Sequence, residues 1–124
     1  MSEQKGVSGL RRIVRAFGYS RKGIRACYRH EAAFRQEIWI GVLVVPLGIW
    51  LGQTGVEKAL LAGSWMLVLI VELLNSSVEA TVDRFGPERH ELAGRAKDAG
   101  SAAVLVAITL ALLAWLAILL PRWI

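Results

Sequence analysis

Three stretches of this chain are almost continuously apolar: Ile38–Leu51, Ala59–Leu74 and Ser101–Leu120. A span of about 30 Å of hydrocarbon needs roughly 20 such residues, and only the third stretch approaches that alone. The first reaches it by borrowing from 32–34 past Arg35 and Glu37, the second by running through Glu72 toward Val82. Ahead of them, Leu10, Ile13, Val14, Phe17, Ile24, Cys27 and Tyr28 recur near helical spacing, with Arg11, Arg12, Arg15, Lys22, Arg25 and Arg29 over much of the rest. That is the pattern of a helix lying in a membrane interface, and Gly18 and Gly23 weaken or bend it midway. The pattern therefore predicts an all-α membrane protein: an N-terminal amphipathic surface helix over about 8–29, then transmembrane helices over about 32–52, 57–84 and 92–120. The chain 1–124 is expected to form one membrane domain.

Charge orients these spans. Of the 15 Lys and Arg residues in 124, nine precede Ile38 and four lie between Arg84 and Lys97; Lys58 and Arg122 stand alone beyond them. The positive-inside rule puts the N-terminus and the 84–98 loop in the cytoplasm, and the 53–57 turn and the C-terminus outside. The chain is thus expected to be N-in and C-out, with Pro121, Arg122 and Trp123 at the outer interface. No secretory signal pattern is expected in 1–30, which has no continuous apolar core or small-residue cleavage site. Composition agrees, with 55% hydrophobic residues and a mean hydropathy of +0.47. The excess of +5 sits toward the cytoplasmic side, which favours anionic headgroups or an anionic ligand over nucleic acid. A single Cys27 excludes an intramolecular disulfide and offers no metal-binding spacing.

Chemistry enters with the second span. Glu72, Asn75 and Glu79 fall within about 60° of one another on a helix, and Asp83 extends the stripe by a turn. Carboxylates at membrane depth are costly and usually face a protein interior, a cavity or a ligand. The plain alternative is an interhelical hydrogen-bond cluster. Gly86-Pro87 should stop this helix, and the next begins near His90 or Glu91, bringing Lys97, Asp98 and Ser101 within about one turn of each other. Pro46 is expected to kink the first span. The Gly41, Gly48, Gly52 and Ala103, Ala107, Ala111, Ala114 stripes point to close helix packing. Three helices barely surround a site, so a homo-oligomer is expected.

Several motifs fail. Gly18-Tyr-Ser-Arg-Lys-Gly23 has P-loop glycine spacing, but Ile24-Arg25 follows where Lys-Ser/Thr is required. His90-Glu91 is not completed by a second histidine at 94. Carboxylates near one membrane face suit Mg²⁺ with phosphates, and a buried one suits a general base. The residues alone leave a lipid-modifying enzyme and an oligomeric proton or cation pathway both open.

Four segments resemble one family over nearly the whole chain: Glu31-Ala-Ala-Phe-Arg-Gln-Glu37, Val71-Glu-Leu-Leu-Asn-Ser-Ser-Val-Glu-Ala80, Val82-Asp-Arg84, and His90-Glu-Leu-Ala-Gly-Arg-Ala-Lys-Asp-Ala-Gly-Ser-Ala-Ala-Val104. They resemble the prokaryotic diacylglycerol kinases, small three-span homotrimers of the bacterial inner membrane. The resemblance implies MgATP-dependent phosphorylation of diacylglycerol to phosphatidic acid. By it Glu72 corresponds to the general base, and Glu31 and Glu79 to the metal-bearing carboxylates. Asn75, Lys97 and Asp98 correspond to nucleotide-side residues, with Glu88, Arg89 and His90 at the adenine-side loop. Arg12 and Tyr19 correspond to surface-helix residues that approach nucleotide and lipid. Arg25, Ala33, Phe34, Arg35, Gln36, Glu37, Trp50, Lys58 and Ser101 correspond to lipid-site positions. Arg21 stands where the family often has Trp, and Arg29-His30 and the Gly52-Gln-Thr-Gly55 turn also depart from its pattern. A related branch prefers undecaprenol; the Glu-Leu-Ala-Gly-Arg-Ala-Lys-Asp form resembles the diacylglycerol branch more.

Overall fold

A computed structural model describes residues 8–85 and 90–124. Among them the chain forms α1 (Gly9–His30), α2 (Ala32–Leu51), α3 (Gly55–Asp83) and α4 (Glu91–Leu119), the last continued by a 3₁₀ turn over Leu120–Arg122. The expectations placed on Gly86, Pro87, Glu88 and Arg89 lie outside the described residues. The last three helices are long and apolar enough to cross a membrane.

Local chemistry sets the helix ends. Ser8 Oγ accepts from Arg11 N–H, Thr54 Oγ1 from Glu57 N–H at 3.2 Å, and His90 Nδ1 from Leu92 N–H at 3.1 Å. Each satisfies one of the first-turn donors that a helix leaves free. Between α1 and α2 only Glu31 is non-helical, at φ −116° and ψ 108°. Arg35 Nη1 closes this joint by donating to the carbonyls of Tyr28 (2.8 Å) and Arg29 (3.0 Å), which lack helical partners at the end of α1. Trp39 Nε1 donates to Tyr28 Oη at 3.1 Å across the same joint.

Helix α3 is the centre of the bundle, packed against α2 on one side and α4 on the other. Short connections make the three run up, down and up. Gly41 takes the indole of Trp65, whose Nε1 donates to Glu37 O at 2.9 Å. Gly48 lies on Leu61 and Ala62, where an added Cβ would come within 2.9 Å of Leu61 Cβ. Trp115 Nε1 ties α4 to α3 through Leu61 O at 3.0 Å. Val68, Ala107 and Ala111 form the buried centre of the α3–α4 contact, with Trp65, Val71 and Ile108 against it. Helix α2 continues through Pro46, which removes the hydrogen bond to the carbonyl one turn earlier without ending the helix.

The glycine and alanine stripes are thus largely used inside one chain. Gly41, Gly48, Ala107 and Ala111 are buried by α3 and α4, whereas Ala103 is exposed. The opposite faces stay open: Leu43, Leu105 and Leu112 are all exposed, as suits surfaces that meet lipid or another helix. At the end of the bundle away from α1, Arg122 gathers three segments. Its Nη1 donates to Leu51 O at 2.8 Å, and its Nη2 pairs with Glu57, whose carboxylate also accepts from Gln53 N–H.

Candidate active site

Glu72 lies in the second half of α3, on the face turned into the bundle, and is 5% exposed. Glu37 of α2 is buried beside it, and the two carboxyl groups lie against each other. Asn75, one turn further along α3, is half-buried against α4. One oxygen on each of Glu37, Glu72 and Asn75 is buried with no hydrogen-bond partner among the described residues. Leaving a buried polar atom unpaired costs about 1–3 kcal/mol, more if charged. Glu72 and Asn75 carry two such atoms one turn apart on α3, and Glu37 brings a third to Glu72 from α2.

On the next face of α3, a cavity of about 590 Å³ opens between α1 and α3. Cys27, His30 and Glu31 line it from one side, and Leu73, Ser76 and Ser77 from the other. Cys27 Sγ donates to Ser76 Oγ at 3.2 Å, which fixes α1 on α3. Burial pushes the Cys27 thiol above its ordinary range; the Ser76 contact opposes this, and the nearby charges of Glu31, Glu72 and Glu37 add to it. Cys27 is therefore a protonated, unreactive packing group.

Where α3 ends and α4 begins, Lys97 Nζ pairs with Asp83 at 2.7 Å, and Glu79 also acts on this ammonium. Both partners are well exposed, so the pair is exchangeable and adds little stability. Asp98 and Ser101 are exposed on α4, and His90 Nδ1 is occupied as the helix cap.

The structure thus brings Glu37 against Glu72, with Asn75 one turn along α3 on the side of α4, Glu31 in the adjoining cavity and Glu79, Asp83 and Lys97 at the helix ends. It does not bring in the rest. Arg12, Tyr19 and Arg25 are exposed along α1, with Arg12 and Tyr19 sharing a shallow cleft beside Arg15. Phe34 is packed in the core, Arg35 is committed to the end of α1, and Ala33 and Gln36 are exposed. Trp50 and Lys58 sit at the far end of the bundle; Lys58 precedes Glu72 by 14 positions, or about 21 Å of helix. The adenine-side positions Glu88 and Arg89 lie outside the described residues. Two participants carry no periodic signal in the sequence: Gly100, on which Asn75 rests, and Trp65, which holds the backbone at Glu37.

The family model for prokaryotic diacylglycerol kinase matches residues 18–119, which contain every element of this site. The chain belongs to that family. It is 55% identical to a diacylglycerol kinase of Escherichia coli strain K12 over 108 residues, 87% of this chain and 88% of the relative. It is 50% identical to that of Pseudomonas aeruginosa over 116 residues, 94% of each, and 44% identical to that of Haemophilus influenzae over 87% of this chain and 92% of the relative.

Such a family implies a nucleotide and a divalent metal, and the donor set can be tested for fit. Among the described residues no three His, Cys, Asp or Glu side chains form a ready-made metal cage. Glu31 and Glu79 are each half-buried, and the carboxylate of neither accepts a hydrogen bond from the described residues. Magnesium takes one or two carboxylates and fills its other positions with phosphate oxygens and water. Glu31 and Glu79 are hard oxygen donors of that kind, whereas the soft Cys27 thiol is committed to Ser76.

Proposed function

We propose that this protein transfers the γ-phosphoryl group of ATP to the free hydroxyl of diacylglycerol, giving phosphatidic acid and ADP. The observation that carries the reading is Glu72: a carboxylate buried in a helix long and apolar enough to span a membrane, with an unpartnered oxygen, in a member of the diacylglycerol kinase family. Phosphoryl transfer depends mostly on positioning and charge neutralisation, and the proposed roles follow that division.

Glu31 and Glu79 would hold Mg²⁺, which would supply positive charge against the phosphates of the nucleotide. Lys97 leaves Asp83 for the phosphates, an exchange favoured by the exposure of that pair. Asn75 offers its carboxamide on the nucleotide side, with Asp98 and the 88–90 loop beyond it. The lipid enters laterally with its chains in the bilayer and its hydroxyl at the Glu37–Glu72 pair. Glu72 accepts the hydroxyl proton as oxygen attacks phosphorus and the bond to the ADP oxygen breaks. Transfer is direct, with no phospho-enzyme step.

The charge pattern supports N-in, C-out insertion in the bacterial inner membrane, with α1 at the cytoplasmic interface. Trp50 and Lys58 then lie near the outer side, within reach only of the lipid's acyl chains. The open apolar faces support a homo-oligomer, a trimer by family resemblance, in which a neighbour completes the site. The test is phosphatidic acid formation by purified protein with MgATP and diacylglycerol, repeated with undecaprenol as acceptor. Phosphorylation of undecaprenol alone would move the protein to the other branch.

A further inference from the structure

Gly100 is the tenth residue of α4, between Ala99 and Ser101. A glycine inside a helix weakens it relative to alanine, so its presence there asks for a reason. Ala99 and Ser101 on either side are exposed, and Gly100 is half-buried against Asn75 of α3. A Cβ at Gly100 would overlap Asn75 Oδ1 and come within 3.2 Å of Asn75 Cγ. Gly94, on the same helix, has nothing within 4 Å of the same construction. Asn75 Oδ1 is also buried without a hydrogen-bond partner among the described residues. Its carboxamide therefore rests by its oxygen on the bare backbone of α4, a close C–H···O approach that only glycine permits. With the oxygen turned into the helix contact, the amide N–H₂ end is what remains for an oxygen-rich ligand such as a phosphate.

We infer that Gly100 is a positioning residue for the reaction: it is the seat that holds the Asn75 carboxamide in its working orientation. The inference rests on the proposed role of Asn75 at the nucleotide side. Any side chain at 100 must move the carboxamide or push α4 from α3, and the carboxamide is the softer of the two. Gly100→Ala should therefore form the helix at least as readily as the native chain while losing turnover.

The experiment is a double-mutant cycle on the full chain in bilayer vesicles, with MgATP and diacylglycerol as probes. Gly100→Ala is expected to lower kcat by about tenfold or more. Gly94→Ala should leave kcat within about twofold, and Gly100→Ala introduced into Asn75→Ala should change kcat by less than about twofold, because no carboxamide remains to displace. Equal losses in the two backgrounds, or native kcat in Gly100→Ala, would overturn the seat while leaving the role of Asn75 standing. Native kcat in Asn75→Ala alone would remove that role, and the inference with it. Should Gly100→Ala fail to assemble, assembly restored in the double variant supports the same contact; failure of both overturns it.

Discussion

The carboxyl of Glu37 lies against that of Glu72 across the α2–α3 interface, and each keeps one buried oxygen without a hydrogen-bond partner among the described residues. Both side chains are buried, so the two carboxyl groups act on each other with little water between them. Glu37→Gln removes one side of that arrangement while keeping its volume. It is expected to lower turnover by about tenfold or more, with a smaller effect on the MgATP concentration for half-maximal rate. Steady-state assays over both substrates check this; an effect confined to MgATP half-saturation would assign Glu37 to the nucleotide instead.

The metal assignment makes a separate demand. Glu31→Gln and Glu79→Gln should each lower turnover and raise the Mg²⁺ concentration needed for half-maximal rate, since each removes an anionic oxygen from a site that has few. Titrating Mg²⁺ at fixed ATP measures it. Unaltered Mg²⁺ dependence in both, with activity lost only alongside thermal stability, would return these residues to a structural role.

Packing predicts a contrast between two glycines. Gly48→Ala places a methyl group 2.9 Å from Leu61 Cβ and 3.1 Å from backbone, so it should destabilise the fold by about 1–3 kcal/mol. Gly63→Ala, with nothing within 4 Å, should be neutral or stabilising by up to about 1 kcal/mol through helix propensity. Thermal midpoints in one detergent compare the two directly, and equal effects would refute the close α2–α3 contact at Gly48.

The helices and the Glu72–Asn75–Glu79 stripe were legible because both are periodic along one segment. What those residues meet was not, because contacts between helices depend on register. The Glu37–Glu72 contact follows from Trp65 lying in the space left by Gly41 and donating to Glu37 O. Small-residue stripes do announce close approach, but they do not say to what. Gly41, Gly48, Ala107 and Ala111 serve contacts within the chain, so the case for oligomers rests on the open apolar faces instead. The clamp of Arg122 on Leu51 O and Glu57 had no signal at all, since its partners are 71 and 65 positions away.

Assembly is checked by mixing two inactive variants. If a neighbour completes each site, co-assembled Glu72→Gln and Glu31→Gln chains should recover part of the native activity. Cross-linking must confirm that mixed oligomers form. Fully inactive mixed oligomers would mean that each site is built within one protomer.

If Glu72 drives ATP-dependent phosphorylation of a diacylglycerol hydroxyl, its loss must show in the yield of phosphatidic acid and ADP from MgATP and diacylglycerol, measured in the same vesicles for the native protein and for Glu72→Gln. Equimolar products from the native protein are expected, without dependence on membrane potential, and essentially none from Glu72→Gln, which should still assemble and bind nucleotide. Near-native turnover by Glu72→Gln, or ion flux across the vesicle membrane with no phosphorylated lipid from the native protein, would contradict the account.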